Sequence, residues 1–163
     1  MTGMRYRVRC LVQNVLCLVL AGLLVSVLTG CFGQIEDKHP DKVLTKRREL
    51  FKQFNRTLEP IGQVVAGRRE YKKEAFVEMV QELQVLSTKP WPYFTVDGNY
   101  PPTHARPAVW EQPDKFKLAQ TDYQSRVDAL VAIAASGDMP KIKAAAEAVG
   151  DSCKACHKQF RYE

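Results

Sequence analysis

The stretch Cys153-Lys154-Ala155-Cys156-His157 organises the rest of the chain. Two cysteines in the spacing C-x-x-C, followed directly by histidine, are the attachment signature of a c-type haem. In such motifs the thiols form thioethers with the porphyrin vinyl groups, and the histidine becomes the proximal ligand of the iron. On a helix, positions i, i+3 and i+4 share one face, so Cys153, Cys156 and His157 would point the same way. The motif predicts one covalently bound haem c.

Two other uses of the paired cysteines compete with this interpretation. A structural zinc site needs four ligands, and the remaining histidines, His39 and His104, lie in loop-like sequence. A thioredoxin-like dithiol needs a βαβ context, which the sequence lacks. A protein whose dithiol serves redox exchange remains as the non-haem alternative.

Apolar residues recur at steps of three and four in four segments, the spacing expected of helices in a bundle. There is no strand-like alternation of any length. On each predicted helix these residues form a stripe facing the core, which we call a seam. The four seams are Leu44, Arg47, Phe51, Phe54, Leu58 and Ile61; Phe76, Val80 and Leu83; Phe116, Ala119, Tyr123, Val127, Leu130 and Ala134; and Ile142, Ala146, Val149, Cys153, Cys156 and Phe160. The sequence therefore predicts an all-α fold, an antiparallel four-helix bundle with covalent haem c near the C-terminus.

The first helix should begin near Asp41, continue through Pro60 with a kink, and stop at Gly67. Arg47 is the unusual member of its seam, because a guanidinium facing a core costs free energy unless it reaches water or meets an anion. A haem propionate would be such an anion. An arginine near a helix end that simply reaches solvent is the equal alternative.

The second helix should span residues 71–87, since Pro90 bars its continuation. The third should start near Pro113 and end at Gly137. Asp138 should then cap the fourth helix, which carries the haem motif on its core face.

Residues 89–112 form an unusually long connection for a small helical domain. The connection contains five aromatic residues: Trp91, Tyr93, Phe94, Tyr100 and Trp110. So many aromatic side chains predict a loop that packs against the bundle. Trp91 and Phe94 would either line a cofactor pocket or cap the core.

Residues 1–30 have the pattern of a signal peptide, with three arginines before an apolar run that ends at Leu28-Thr29-Gly30-Cys31. This ending resembles the lipobox of bacterial lipoproteins, in which the leader is removed and the cysteine receives a lipid. Fatty chains on Cys31 would hold the protein on a membrane surface without spanning it. Residues 31–40 would then be a tether and residues 41–163 the bundle. The alternatives are cleavage to a soluble periplasmic product and an uncleaved anchor helix.

Cysteine usage agrees with this processing, because Cys10 and Cys17 leave with the leader and Cys31 takes lipid. No thiol then remains for a disulfide in an oxidising compartment. Phe32 rather than aspartate follows Cys31, and resemblance to other lipoproteins implies the outer membrane, facing the periplasm. Removal of the three leader arginines lowers the net charge from +6 to +3, too mild a charge to indicate nucleic-acid binding.

From about Asp41 to Tyr162 the chain resembles the cytochrome c′ family of four-helix haem proteins. The segment 152–161 carries the strongest match, a haem motif near the C-terminus followed by an aromatic residue and arginine. Further matches are Lys89-Pro90-Trp91 with Phe94, and Ala105-Arg106-Pro107 with Trp110.

The resemblance makes Cys153 and Cys156 the thioether anchors and His157 the proximal iron ligand. It places Arg161 beside the proximal face of the haem. Arg47 and Arg48 match two first-helix positions that approach the haem.

Two further positions follow from the same resemblance. It places His104 in a loop near the propionates, where a plain surface histidine is the alternative. It places Phe51 over the vacant face of the iron. Electron-transfer relatives of this fold carry methionine on the first helix, and here that helix has none. The expected iron is therefore five-coordinate and high-spin.

The function implied by the resemblance is binding of nitric oxide and carbon monoxide, with scavenging of nitric oxide. The sequence offers no paired carboxylates, nucleophile–base pair or phosphate loop, so we expect no enzyme turnover. The second hypothesis is a periplasmic electron carrier, in which Lys154, Lys158 and Arg161 present a basic edge to an acidic partner. Alternatively, these charged side chains simply face solvent at the end of the helix. The resemblance also implies a homodimer formed through the first two helices.

Overall fold

The computed structural model describes residues 36–162, and their regular structure is helical. The four long helices are α1 (Val43–Val65), α2 (Lys73–Leu86), α4 (Pro113–Ile133) and α5 (Met139–Phe160). The loop between α2 and α4 contains the short helix α3 (Ala108–Glu111). Helix α1 packs on α2 and α5, and α4 packs on the same two helices. The predicted four-helix bundle is confirmed. The expected leader, the lipid-bearing Cys31 and half of the expected tether, residues 31–35, lie outside the described residues.

The helix ends follow from residues identified in the sequence. After α1, Gly67 adopts a left-handed φ of 69°, which glycine tolerates without steric cost. Helix α1 runs unbroken through Pro60, as predicted. The Asp138 side chain accepts a hydrogen bond of 3.2 Å from the Lys141 backbone N–H at the start of α5. Helix α4 instead ends at Ile133, before Gly137, because tight turns such as the 3.0 Å bond from Ser136 N to Ile133 O replace the helical pattern.

The core fills the space between the four long helices. Its fully buried side chains include Phe76, Val80, Leu83, Val127, Leu130 and Ile142. All six belong to the predicted seams, so the periodicity located the core face of three helices correctly. Within residues 36–162, no helix has both the length and the apolar character needed to cross a membrane.

The long connection packs against the bundle, as its aromatic content predicted. It forms two 3₁₀ turns, Trp91–Tyr93 and Val96–Gly98, before α3. The Trp91 indole donates a hydrogen bond of 2.7 Å to the Ser87 carbonyl. The Trp110 indole donates to the carbonyls of Phe94 and Thr95 at 3.1 and 3.0 Å. These bonds hold the loop in one conformation over the end of the bundle that carries the cysteines.

The packed domain begins at Asp37, inside the segment that we expected to be a tether. The Asp37 side chain is buried, and its carboxylate accepts hydrogen bonds from Thr45 N at 2.7 Å, from His39 N at 3.2 Å and from the Tyr100 hydroxyl. Burial opposes ionisation, but these three bonds outweigh it and hold the pKa of Asp37 well below its ordinary value. The tether expectation therefore differs from the structure at residues 37–40, because a lone aspartate gave no sign of distant partners.

Asp37→Asn should lower the stability of the protein at neutral pH, since the amide accepts fewer strong hydrogen bonds than the carboxylate. Because the folded-state pKa is depressed, the stabilisation is fully present above the unfolded pKa of about 3.9 and is lost as pH falls through the folded value. We expect the difference in urea midpoint between wild type and variant to be largest near neutral pH and to shrink below about pH 4.

Asp122→Asn is the matched control, because Asp122 forms only an exposed ion pair with Arg126 at 3.2 Å. Such pairs contribute little to stability. A constant difference between wild type and Asp37→Asn across this pH range would contradict the account of Asp37.

Candidate functional site

Helix α5 positions the two cysteines of the motif against the core. Cys153 is half-buried and packs against the main core of the bundle. Cys156 is also half-buried and packs against a second apolar cluster formed by Val109, Phe116 and Phe160. Trp91 of the long loop contacts both clusters. The two thiols therefore lie on the core face of α5, at the end of the bundle that the loop covers.

The environment of the thiols does not suit redox exchange. Burial raises the pKa of Cys153, and burial with a smaller contribution from Cys153 raises the pKa of Cys156 to about 11. Reactive dithiols have lowered pKa values, which make the thiolate available at neutral pH. In residues 36–162, no three His, Cys, Asp or Glu side chains are grouped closely enough to hold a metal ion.

His157 lies one residue beyond the second cysteine, on the exposed edge of α5. Partial burial lowers the pKa of its imidazole, and the positive charge of Arg161 lowers it further. The neutral imidazole is the form that ligates a metal. The side chain is thus both accessible and in the required protonation state near neutral pH.

Seven aromatic side chains form one connected group beside the cysteines, which we call the aromatic cluster. Its members are Phe51, Phe54, Trp91, Phe94, Phe116, Tyr123 and Phe160, with ring centroids 5.0–6.4 Å apart in the contacting pairs. Phe51 contacts three of them, Phe54 at 5.6 Å, Trp91 at 6.3 Å and Phe94 at 6.4 Å. Aromatic pairs at these separations stabilise their arrangement beyond simple burial. The cluster gives the site an apolar wall made by α1, α4, α5 and the loop.

Arg47 lies inside this wall rather than in solvent. It is 5% exposed, and its Nη2 donates a hydrogen bond of 2.9 Å to the Gly98 carbonyl. The guanidinium also lies 4.6 Å from the centre of the Phe94 ring, a cation–π distance. The solvent-reaching alternative for Arg47 is therefore wrong, and its Nη1 has no hydrogen-bond partner among the described residues.

Four buried polar atoms around the aromatic cluster lack a partner in the described part of the chain. They are Arg47 Nη1, Thr95 Oγ1, Arg106 Nε and the Tyr123 hydroxyl oxygen. Leaving such an atom unpaired costs about 1–3 kcal/mol, so each of them is a candidate to pair with a bound group. A haem suits this set, since its propionates are acceptors for guanidinium N–H groups and its ring suits an apolar aromatic wall. The residues present thus fit the cofactor that the motif predicted.

Thr95, Arg106 and Tyr123 were not singled out as site residues by sequence reasoning. Arg106 had a signal, because it stands in the Ala105-Arg106-Pro107 segment that carried part of the resemblance. Tyr123 was correctly assigned to a core seam, but periodicity says nothing about whether a hydroxyl finds a partner. Thr95 had no sequence signal.

The remaining predicted residues are distributed around the motif. Arg48 is half-buried on α1, and His104 and Arg161 are exposed. The backbone brings His104 and Arg161 together, because residues Ala105 and Arg161 form an antiparallel bridge. In this bridge Arg106 N donates to Phe160 O at 2.9 Å and Tyr162 N donates to His104 O at 2.8 Å. The loop and the end of the motif helix are therefore joined directly.

Comparison with known proteins extends this description. The family model described as "Cytochrome C'" matches residues 42–161. A cytochrome c′ of Alcaligenes xylosoxydans xylosoxydans is 38% identical over 101 residues, which are 60% of this chain and 76% of that protein. A cytochrome c′ of Rubrivivax gelatinosus is 29% identical over 125 residues, 75% of this chain and 95% of that protein.

Solved structures show the same similarity in three dimensions. A nitric oxide complex of a cytochrome c prime mutant from Alcaligenes xylosoxidans superposes with a TM-score of 0.72 at 30% identity, covering 78% of this chain and 100% of that one. A carbon monoxide complex of another variant of the same cytochrome gives the same TM-score, identity and coverage.

Proposed function

The chain belongs to the cytochrome c′ family, and we propose that its haem iron is five-coordinate and binds nitric oxide and carbon monoxide. Family membership confirms the predicted covalent haem c, so the non-haem dithiol alternative is wrong. When bound, this cofactor supplies an iron that can take a small ligand. The protein residues determine which ligands reach it.

The observation that carries the proposal is that α1 has phenylalanine at position 51 and no methionine to serve as a sixth ligand. Helix α1 spans Val43–Val65 and contains no methionine, and Phe51 contributes an aromatic ring without a lone pair to donate. Met79 packs against the main core from α2, and Met139 is the first residue of α5. A haem held at the cysteines would then have His157 as its single ligand from the residues we assign to the site.

We assign the other roles from the position and chemistry of each side chain. Cys153 and Cys156 form the thioethers. Arg47 offers the unpartnered Nη1 to a haem propionate, which would satisfy a buried charge that otherwise lacks one partner. Arg48 lies next to it on α1, and Arg161 lies one turn beyond His157, where it affects the proximal side.

The aromatic cluster accounts for selectivity among ligands. Anions and large polar ligands lose hydration when they move from water into a site bordered by these apolar rings, and this loss costs several kcal/mol. Neutral diatomic gases lose little hydration and need only small movements of the aromatic side chains. Binding of nitric oxide at such a site would lower its free concentration, which is the scavenging role that we propose.

The proposed location is the periplasmic side of a bacterial membrane, with Cys31 lipidated. Such a chain would remain at the membrane surface, and a second copy could pair with it through α1 and α2. The electron-carrier hypothesis ranks second, because a five-coordinate iron would have to reorganise more on electron transfer than a six-coordinate one.

Resonance Raman spectra of the purified ferrous holoprotein test the proposal. We expect high-spin, five-coordinate marker bands that change when nitric oxide or carbon monoxide is added. Heat-denatured protein with the same haem content is the control, because it shows how the gases bind to haem that is not enclosed by the folded protein. A low-spin spectrum in the resting ferrous protein would reveal a sixth ligand, overturn the proposal and favour electron transfer.

A further inference from the structure

Tyr123 carries the only hydroxyl group among the rings of the aromatic cluster. The residue is 6% exposed, and its phenol oxygen has no hydrogen-bond partner among the described residues. Tyr71 differs in this respect, because its hydroxyl donates a hydrogen bond of 2.7 Å to the Ala134 carbonyl. A buried phenol without a partner is unfavourable, and phenylalanine would avoid that cost. The hydroxyl therefore needs a partner that residues 36–162 do not supply.

The Tyr123 ring lies in the part of the aromatic cluster that surrounds Phe51. The Tyr123 ring packs edge-on against Phe54 at 5.8 Å and Trp91 at 6.4 Å. Both of these rings also contact Phe51, the residue expected over the vacant face of the iron. Tyr123 also lies close enough to Cys153, one of the two haem anchors, for that thiol to affect its pKa. Tyr123 therefore packs on two rings that contact Phe51, and it also lies near a cysteine that anchors the cofactor.

The phenol remains a donor throughout the physiological pH range. Burial, with a smaller contribution from Cys153, raises the pKa of Tyr123 far above its ordinary value. The other rings of the cluster offer no hydroxyl, and the indole N–H of Trp91 already donates to a backbone carbonyl. A polar ligand atom that enters the cluster would find the Tyr123 O–H uncommitted.

We propose that the Tyr123 hydroxyl donates a hydrogen bond to a diatomic ligand bound at this site and so helps to select among such ligands. The inference rests on the proposed binding of these gases. A donor of this kind favours ligands whose outer atom gains negative charge, because the hydrogen bond strengthens with that charge. Tyr123 would then be a specificity-determining residue within an otherwise apolar wall.

The test uses the full-length ferrous holoprotein with carbon monoxide and compares wild type, Tyr123→Phe and Tyr71→Phe. Infrared spectroscopy measures the C–O stretching frequency, and flash photolysis with ligand replacement measures the rates. Loss of the hydrogen bond in Tyr123→Phe should raise the stretching frequency and speed carbon monoxide dissociation roughly two- to tenfold. Tyr71→Phe removes a half-buried hydroxyl that lies outside the cluster and already has a partner, and it should change neither quantity.

The outcomes separate this inference from the proposed function. If wild type binds carbon monoxide but Tyr123→Phe has the same stretching frequency, the hydroxyl does not contact the ligand and the inference is wrong. If wild type binds no carbon monoxide, the proposed function itself fails. Should Tyr123→Phe not fold, wild type measured in H₂O and in D₂O decides the matter. A frequency shift on exchange of the hydroxyl proton supports the hydrogen bond, and identical frequencies overturn it.

Discussion

Cys153→Ser together with Cys156→Ser should abolish covalent haem attachment, while the helical content of the protein falls only moderately. Serine cannot form the thioether, so no bond remains to hold the porphyrin after denaturation. Each single variant should keep one thioether, so that one vinyl group of its haem stays unreacted. The absorption band of this haem should be shifted relative to that of wild type. Peroxidase staining of haem on denaturing gels and the pyridine haemochrome spectrum measure the result.

Lys154→Ala is the matched control, since Lys154 occupies a variable position of the same motif and its side chain is 81% exposed. That variant should attach haem at the wild-type level. If the double serine variant still carried haem through denaturing electrophoresis, another residue would have to be the anchor, and the assignment of both cysteines would be wrong.

Phe51→Ala should increase the rate of carbon monoxide association with the ferrous protein at least about tenfold, equivalent to about 1.4 kcal/mol of activation free energy. Phe51 contacts Phe54, Trp91 and Phe94. If Phe51 covers the vacant face of the iron, as we propose, a ligand passes only when these packed rings separate. Removing the ring leaves space in the cluster and eliminates that movement. Stopped-flow absorbance after mixing with carbon monoxide gives the rate.

Val96→Ala serves as the control for this second result, because Val96 is 79% exposed on the outer side of the loop. Its association rate should equal that of wild type. Phe51→Ala also loses packing, so unfolding curves must first establish that the variant is folded at the temperature of the measurement. An unchanged association rate in folded Phe51→Ala would mean that ligands do not pass Phe51.

The helices were predictable because local signals specify them. Steps of three and four identified the core seams, and Gly67 and Asp138 set two of the boundaries through backbone geometry and capping. The four-residue helix α3 was missed, since so short an element has no periodicity to detect. Helix α4 ended early because turns after Ile133 compete with the helix before Gly137 is reached.

The site was predictable where chemistry depends on neighbours in sequence. The spacing of Cys153, Cys156 and His157 sufficed to predict the cofactor. Arg47 left two alternatives open, because a sequence pattern does not reveal whether an arginine near a helix end is covered by a loop. The hydroxyl of Tyr123 and the hydrogen bonds of Asp37 depend on residues far away in the chain, which no local pattern reports.

The long loop has a consequence for the order in which the molecule assembles. Its hydrogen bonds join residues far apart in sequence, 51 positions for Arg47 and Gly98 and 61 for His39 and Tyr100. Contacts of such separation require closure of a large segment and form late, whereas helices form locally and early. We therefore expect the individual helices to form while the loop is still open. Haem attachment would use this interval, before Trp91 and Phe94 close over the thiols.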